Sequence, residues 1–302
     1  MSAISFRKCS SIVAASLVVI TGGAAKCLAQ GTSDQPSYME LSWMKVKQDK
    51  VAEFGQMSAR IADANRRGKG ATWVAYSDMY GKDNYVWMAS ARSSLAEVEP
   101  STEKFLGALK EFMGFTPDRF FAEASKTVES SGTELWRHRY DLSWNVKDSA
   151  DWQAHLAKAH YVAVITIQVK PGKTVDAEKQ IKMVSDAVAG SDNKTVGLVS
   201  QLIMGGDSGR MYIRVPFESV AGVGQMVSVR KALGEEGYRT FSEMSAQDFA
   251  SVDYSLKRLI PEWSNPPASF VEANPTMWKV KPMVTAKPKP AAASKPASTG
   301  GD

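Results

Sequence analysis

The strongest constraint on this chain is that it carries one unit twice. Val169-Lys170-Pro171-Gly172-Lys173 has a degraded copy, Val46-Lys47-Gln48-Asp49-Lys50, about 120 residues upstream, and segments of the same kind flank both. A period of that length predicts two linked supersecondary units of matching order.

The first unit opens at Tyr38–Val46, where Met39, Leu41 and Trp43 alternate with Glu40 and Ser42 as on a half-buried strand. Val51, Phe54, Met57, Ser58 and Ile61 then follow helical spacing until Gly68 and Gly70 end the helix. Two aromatic-rich runs, 71–80 and 85–91, enclose the turn Gly81-Lys82-Asp83-Asn84 and predict a hairpin. A helix carrying Phe105, Leu109 and Phe112, a further helical stretch with Phe120 and Phe121, and a fourth strand from Glu134 to Trp144 complete the order β-α-β-β-α-β.

The second unit repeats that order from Tyr161: a strand with Ala163, Ile165, Ile167 and Val169, a helix with Ile181, Val184 and Val188, and a hairpin turning at Gly205–Gly209. Its fourth strand, near 252–260, closes on Trp263 as the first closes on Trp144. The organisation expected is 38–144 for the first unit, 145–160 for a linker helix capped at Asp148-Ser149, and 161–263 for the second.

A β-α-β-β-α-β unit with Val-Lys-Pro-Gly-Lys at its strand-to-helix junction resembles the dimeric α/β-barrel superfamily, which includes antibiotic-biosynthesis-monooxygenase-like, NIPSNAP-like and EthD-like domains. The resemblance covers Tyr38 to Trp263. It implies an α+β fold, a tandem ferredoxin-like repeat whose two sheets pair into an intramolecular barrel, and a cavity for a ligand. It also implies a range of activities: monooxygenases, haem-degrading and haem-peroxidase enzymes, dehalogenating enzymes and members without known activity. A shared fold does not choose among these.

The flanks read differently. Arg7 and Lys8, the apolar run 12–20 and the small-residue site Cys27-Leu28-Ala29 predict a signal peptide over 1–29, and hence a secreted or periplasmic protein with no membrane span after cleavage. Residues 30–37 form a polar lead. Both cysteines, Cys9 and Cys27, leave with the signal, so a thiolate metal site or cysteine nucleophile is excluded from the mature chain. The formal charge of +5 is reduced in the same way, to 34 basic against 32 acidic residues, and five of the remaining lysines lie beyond Trp263. That balance excludes a nucleic-acid groove. The Pro/Lys/Ala-rich segment 264–302 reads as a solvated tail able to touch the cell envelope, although Phe270 and Trp278 could pack back on the core.

Chemistry is sparse. On the fourth strand of the first unit, alternation predicts that Trp136, His138, Tyr140, Leu142 and Trp144 share a face. His138 between two aromatics could hold a flat ligand, ligate haem iron or move a proton; it could equally be a hydrogen-bonded core residue. Tyr254, Leu256 and Arg258 stand at comparable positions in the second unit. A second candidate is the aromatic group Tyr76, Tyr85, Trp87 and Tyr80, answered by Tyr212, Arg214 and Gln201, which would suit a small aromatic or lipophilic ligand. His155 and His160 are too far apart around a helix to share a metal. Gly206-Asp207-Ser208-Gly209 needs only turn geometry and is no serine-protease motif. The expected function is a small-molecule binder or interaction protein without a catalytic constellation. The alternative is a monooxygenase-like or haem-handling enzyme.

Overall fold

The computed structural model describes residues 37–282. The signal-peptide reading and residues 283–302 of the tail lie outside them. Within them the chain runs β1 (Tyr38–Val46), α1 (Val51–Gly68), β2 (Val74–Tyr80), β3 (Tyr85–Arg92), α2 (Val98–Met113), α3 (Pro117–Thr127) and β4 (Val128–His138). A connecting helix α4 (Ser149–Lys158) leads to β5 (Tyr161–Val169), α5 (Thr174–Ala189), β6 (Leu198–Met204), β7 (Arg210–Phe217), α6 (Val220–Val223), α7 (Val229–Asp248) and β8 (Phe249–Leu259). Two short helices, α8 (Ala268–Ala273) and α9 (Pro275–Trp278), follow.

Eight strands close into a barrel in the order β1-β3-β2-β8-β5-β7-β6-β4, and β4 returns to β1. Every pairing is antiparallel. Each half of the chain contributes four neighbouring strands, and two seams join the halves. At one seam β2 pairs β8, bringing Asp78 opposite Lys257 and Tyr76 opposite Leu259. At the other, β4 pairs β6, bringing Trp136 opposite Leu202 and His138 opposite Ser200.

The strand period of two sorts the core into an inner and an outer set. Met39, Leu41, Tyr76, Trp87, Trp136, Val162, Val164, Leu198 and Tyr212 share the inner cluster. In β5 the odd positions Ala163, Ile167 and Val169 face outward, to Ala177, Ile181 and Val188 of α5. On the first half, Ile61 and Ala62 of α1 and Leu109 of α2 cover Ala75. Burying each large apolar side chain of this kind contributes about 1.5–3 kcal/mol. Among the described residues no helix is long and apolar enough to cross a membrane.

The doubled motif has a mechanical role at each strand-to-helix junction. The Lys47 backbone N–H donates to Thr127 O and that of Lys170 to Asp248 O, both at 2.9 Å. Their ammonium groups then bond carbonyls at the C-termini of α3 and α7, where the helix dipole favours a cation. Gly172 holds φ +78, a left-handed turn that glycine adopts without strain, whereas Gln48–Lys50 makes the same corner as a 3₁₀ turn.

Two expectations are corrected. β4 spans Val128–His138 and not Glu134–Trp144: after His138 the chain enters a 3₁₀ turn at Tyr140–Leu142. Leu142 and Trp144 therefore pack in the outer cluster with α5, away from Trp136. Nor do the two tryptophans occupy matching stations. Ser143 and Ser264 are the true counterparts: their hydroxyls accept from Val199 N and Ala75 N at 2.9 Å, and both donate to the carbonyl four residues back. Trp144 then corresponds to Asn265, and the isolated bridges Trp144↔Gly197 and Trp73↔Asn265 occupy the same place in each half.

One end of the barrel is stoppered. Asp148 caps α4 by accepting from Asp151 N at 2.9 Å, and Trp152, Leu156 and Ala157 of that helix join the inner cluster. Phe270 and Trp278 pack there too, and the Trp278 indole donates to Ala157 O at 2.7 Å.

Candidate functional site

The inner face of the barrel carries the candidate site. Alternation along β7 turns Arg210, Tyr212 and Arg214 inward, while the same rule on β4 turns in Glu134, Trp136 and His138. Trp136 is fully buried, stacks on Tyr212 with ring centroids 3.9 Å apart, and donates its indole N–H to Glu134 at 3.1 Å. Glu134 pairs with Arg210 at 2.6 Å. Across the barrel Lys257 pairs with Asp78 and lies 4.1 Å from the Trp87 ring centroid. Burial pulls the Lys257 pKa below its ordinary value, and Asp78 opposes that shift.

Arg214 is different. It is 6% exposed and no carboxylate lies within ion-pair distance of it among the described residues. Its Nη1 donates to the Met39 sulfur at 2.9 Å, and its Nη2 reaches Ser200 Oγ at 3.1 Å and His138 Nδ1 at 3.3 Å. The Trp152 ring covers it at 5.1 Å, and its Nε has no hydrogen-bond partner. Burial lowers the guanidinium pKa, but an arginine side chain stays protonated in proteins.

That cation sets the state of His138. An arginine can only donate, so Nδ1 is the acceptor and the ring proton sits on Nε2. Burial, then the charge of Arg214, holds the imidazole well below its usual pKa, so it is neutral at pH 7. Tyr76, buried against Arg214, is pushed up to about 12 by burial. Burial also raises Tyr140 and Tyr212. These phenols are neutral hydrogen-bonding groups at physiological pH.

Trp136, His138, Tyr76, Trp87, Tyr212 and Arg214 thus come together, with Tyr140 beside them 6.0 Å from His138 between ring centroids. Tyr85 stands half-buried towards the other end, stacked on Trp87 at 6.0 Å. Gln201 does not belong to the site. It faces outward and bonds Arg137 and Arg139, because the inward neighbours on β6 are Ser200 and Leu202. Tyr80 is 66% exposed. Register also removes the match of Tyr254, Leu256 and Arg258 to the His138 strand: the inward stations of β8 are Lys257 and Leu259, opposite Asp78 and Tyr76. Sequence reading missed Asp78, Glu134, Ser200, Arg210 and Lys257; inward charges on strands otherwise apolar on that face were the available signal.

The space left inside is small, a cavity of ≈ 20 Å³ bounded by Met39, Leu41, Tyr76, Trp87, Tyr212, Arg214 and Lys257. About one water fits a volume of that order. Haem does not fit these residues: His138 is buried with Nδ1 engaged beside a guanidinium, and the cavity lies far below the ~300 Å³ or more of ordinary cofactor pockets. Among the described residues no group of three or more His, Cys, Asp or Glu is placed to hold a metal ion.

No protein-family model and no curated protein matches the sequence. Solved structures with a similar course of chain include an anthrone oxidase-like protein, 9% identical, with a TM-score of 0.48 over 75% of this chain and 92% of that one. A mutant chlorite dismutase from Candidatus Nitrospira defluvii is 12% identical, with a TM-score of 0.45 over 80% of this chain and 95% of that one. The structure of the chain itself is a mixed α/β fold around an eight-stranded antiparallel barrel.

Proposed function

We propose that this chain is a tandem ferredoxin-like member of the dimeric α/β-barrel superfamily that works, in a secreted or periplasmic setting, as a binding protein for a compact polar ligand held inside its barrel. The duplication is supported by the matched seams, the matched serines and the matched lysine caps. The setting is supported by the leader-like segment alone.

One observation carries the ligand reading: the inner face buries Arg210, Arg214 and Lys257 with Glu134, Asp78, His138 and Ser200, and Arg214 and Lys257 border a cavity too small for an aromatic substrate. A purely structural interior would be filled with apolar side chains, because every buried polar group must be paired at some cost in stability. The larger aromatic or lipophilic ligand expected from the sequence is not accommodated, since the aromatic rings occupy that volume themselves.

The test is native mass spectrometry of the mature protein purified from its host. Thermal unfolding of the stripped chain against charged and neutral solutes of up to four heavy atoms follows. A retained small mass, or stabilisation by a compact solute that Tyr76→Trp abolishes by filling the cavity, is the expected result. A stripped chain indifferent to every such solute refutes the reading.

A further inference from the structure

The inner face holds an unequal set of charges. Three cations, Arg210, Arg214 and Lys257, stand against two buried carboxylates, Glu134 and Asp78; the third carboxylate in reach, Asp207, is exposed on the turn and pairs with Arg210 as well. Each carboxylate already has its partner, so the surplus charge is localised on Arg214. Its neighbours are a thioether, a hydroxyl, a neutral imidazole, the neutral Tyr76 phenol and an indole face. None carries a negative charge, and a desolvated cation without one is strongly disfavoured.

The unused hydrogen-bonding capacity lies at the same end. Arg214 Nε is buried without a hydrogen-bond partner, and the Tyr140 and Ser37 hydroxyls are buried beside each other. Ser37 is tied to this place by its carbonyl, which accepts from His138 N at 2.9 Å. Tyr140 faces the His138 ring. Buried polar groups are rarely left unsatisfied, and the Arg214 N–H with the nearby Tyr140–Ser37 hydroxyl pair can together supply donors. Arg214 also borders the ≈ 20 Å³ cavity.

We propose that the Arg214 end of the barrel is a binding site for a small monoanion, of halide to formate size, neutralising Arg214 and accepting from its Nε, with the Tyr140 hydroxyl of the Tyr140–Ser37 pair as a further donor. This rests on the reading of the barrel interior as a ligand compartment and names the ligand's class. One negative charge matches the surplus of one. A dianion would over-compensate it, and a neutral amide would leave it standing. The stopper formed by α4, α8 and α9 keeps water from this end, so the anion meets the guanidinium in a medium of low dielectric where a single charge pair is strong.

The experiment is thermal unfolding of the chain at constant ionic strength, in a buffer whose anion is a bulky sulfonate. Chloride, formate, sulfate and formamide are added in turn. Chloride or formate at about 100 times its dissociation constant is expected to raise the midpoint by several degrees, while sulfate and formamide do not. Arg214→Met should lose that response and melt above the wild type in the sulfonate buffer, because the uncompensated charge has gone. An Arg214→Met variant that still responds, or a wild type that responds equally to all anions, overturns the proposal. Formamide stabilising where the anions do not overturns the monoanion but leaves a small-ligand barrel. No response to any solute overturns both. Should Arg214→Met fail to fold, Tyr140→Phe serves: a loss of roughly tenfold in formate affinity is expected, and unchanged affinity overturns the site.

Discussion

The two halves of the barrel have the same strand order and nearly opposite interiors. Leu41 and Val164 face Ala89 and Arg214 at one level, and Trp43 and Thr166 face Trp87 and Tyr212 at the next. At the seams, Asp78 opposite Lys257 corresponds to Leu202 opposite Trp136, and Tyr76 opposite Leu259 to Ser200 opposite His138. One half puts an alanine where the other puts an unpaired arginine, and one seam puts an ion pair where the other puts an indole. The outer faces have not diverged in this way, since both keep lysine caps and serine bridges in register. Packing against helices constrains the outside of each half equally. The inside is constrained only by the sum of the two, so charge and volume can move from one half to the other.

That contrast can be broken by experiment. Lys257→Met leaves the buried Asp78 carboxylate without a cation, held only by the Lys82 backbone N–H at 3.3 Å and the Trp87 indole at 3.4 Å, and should cost about 3–5 kcal/mol in urea unfolding. Asp78→Leu with Lys257→Met gives this seam the apolar character of the other. The double variant should be neutral or more stable by about 1–4 kcal/mol. If it is as unstable as the single variant, the ion pair organises the seam and the interiors are not interchangeable.

His138→Leu copies Leu259 in the same spirit and is read through pH. The unfolded imidazole takes up a proton below about pH 6.5, but the buried one, its pKa depressed, does not. The unfolded state therefore binds more protons. Wild-type stability should fall on acidification below about pH 6.5, by up to about 1.4 kcal/mol per pH unit from this group. The leucine variant should lack that component of the slope. The smallest effect is the most symmetric: Lys47→Met and Lys170→Met should each cost about 0.3–1 kcal/mol, and by similar amounts. Unequal costs would show that the outer faces have diverged as well.

Much of the fold was legible because local rules determine it. β1 falls at Tyr38–Val46 as its alternation predicts, and both hairpins turn where Gly, Asp and Asn collect. β4 was displaced for a physical reason. Its first residues, Val128 to Thr133, are largely polar and exposed, while the aromatic alternation runs on past its end into Tyr140 and Trp144. Trp136, His138, Tyr76, Trp87, Tyr212 and Arg214 could be chosen from the sequence as large or polar residues on strands, and Tyr140 by the alternation that runs past the end of β4. What could not be read is that Arg214 lacks a carboxylate, because that depends on β4, β6 and β7 becoming neighbours across the seam. Gln201 failed for the converse reason, as a one-residue shift of parity sends a strand side chain to the other face.

The seam between β2 and β8 joins Asp78 to a lysine 179 residues further along the chain, on the last strand of the barrel. During synthesis the first four strands are complete long before their closing partner exists. They expose β2 and β4 as open edges, and leave Trp43, Trp87 and Trp136 without the opposite wall that covers them. Topologies of such long loop closure fold slowly and expose sticky edges while they do so. A chain truncated before Phe249 would therefore be a self-adhesive sheet and not a smaller barrel, so the final strand governs solubility as well as shape.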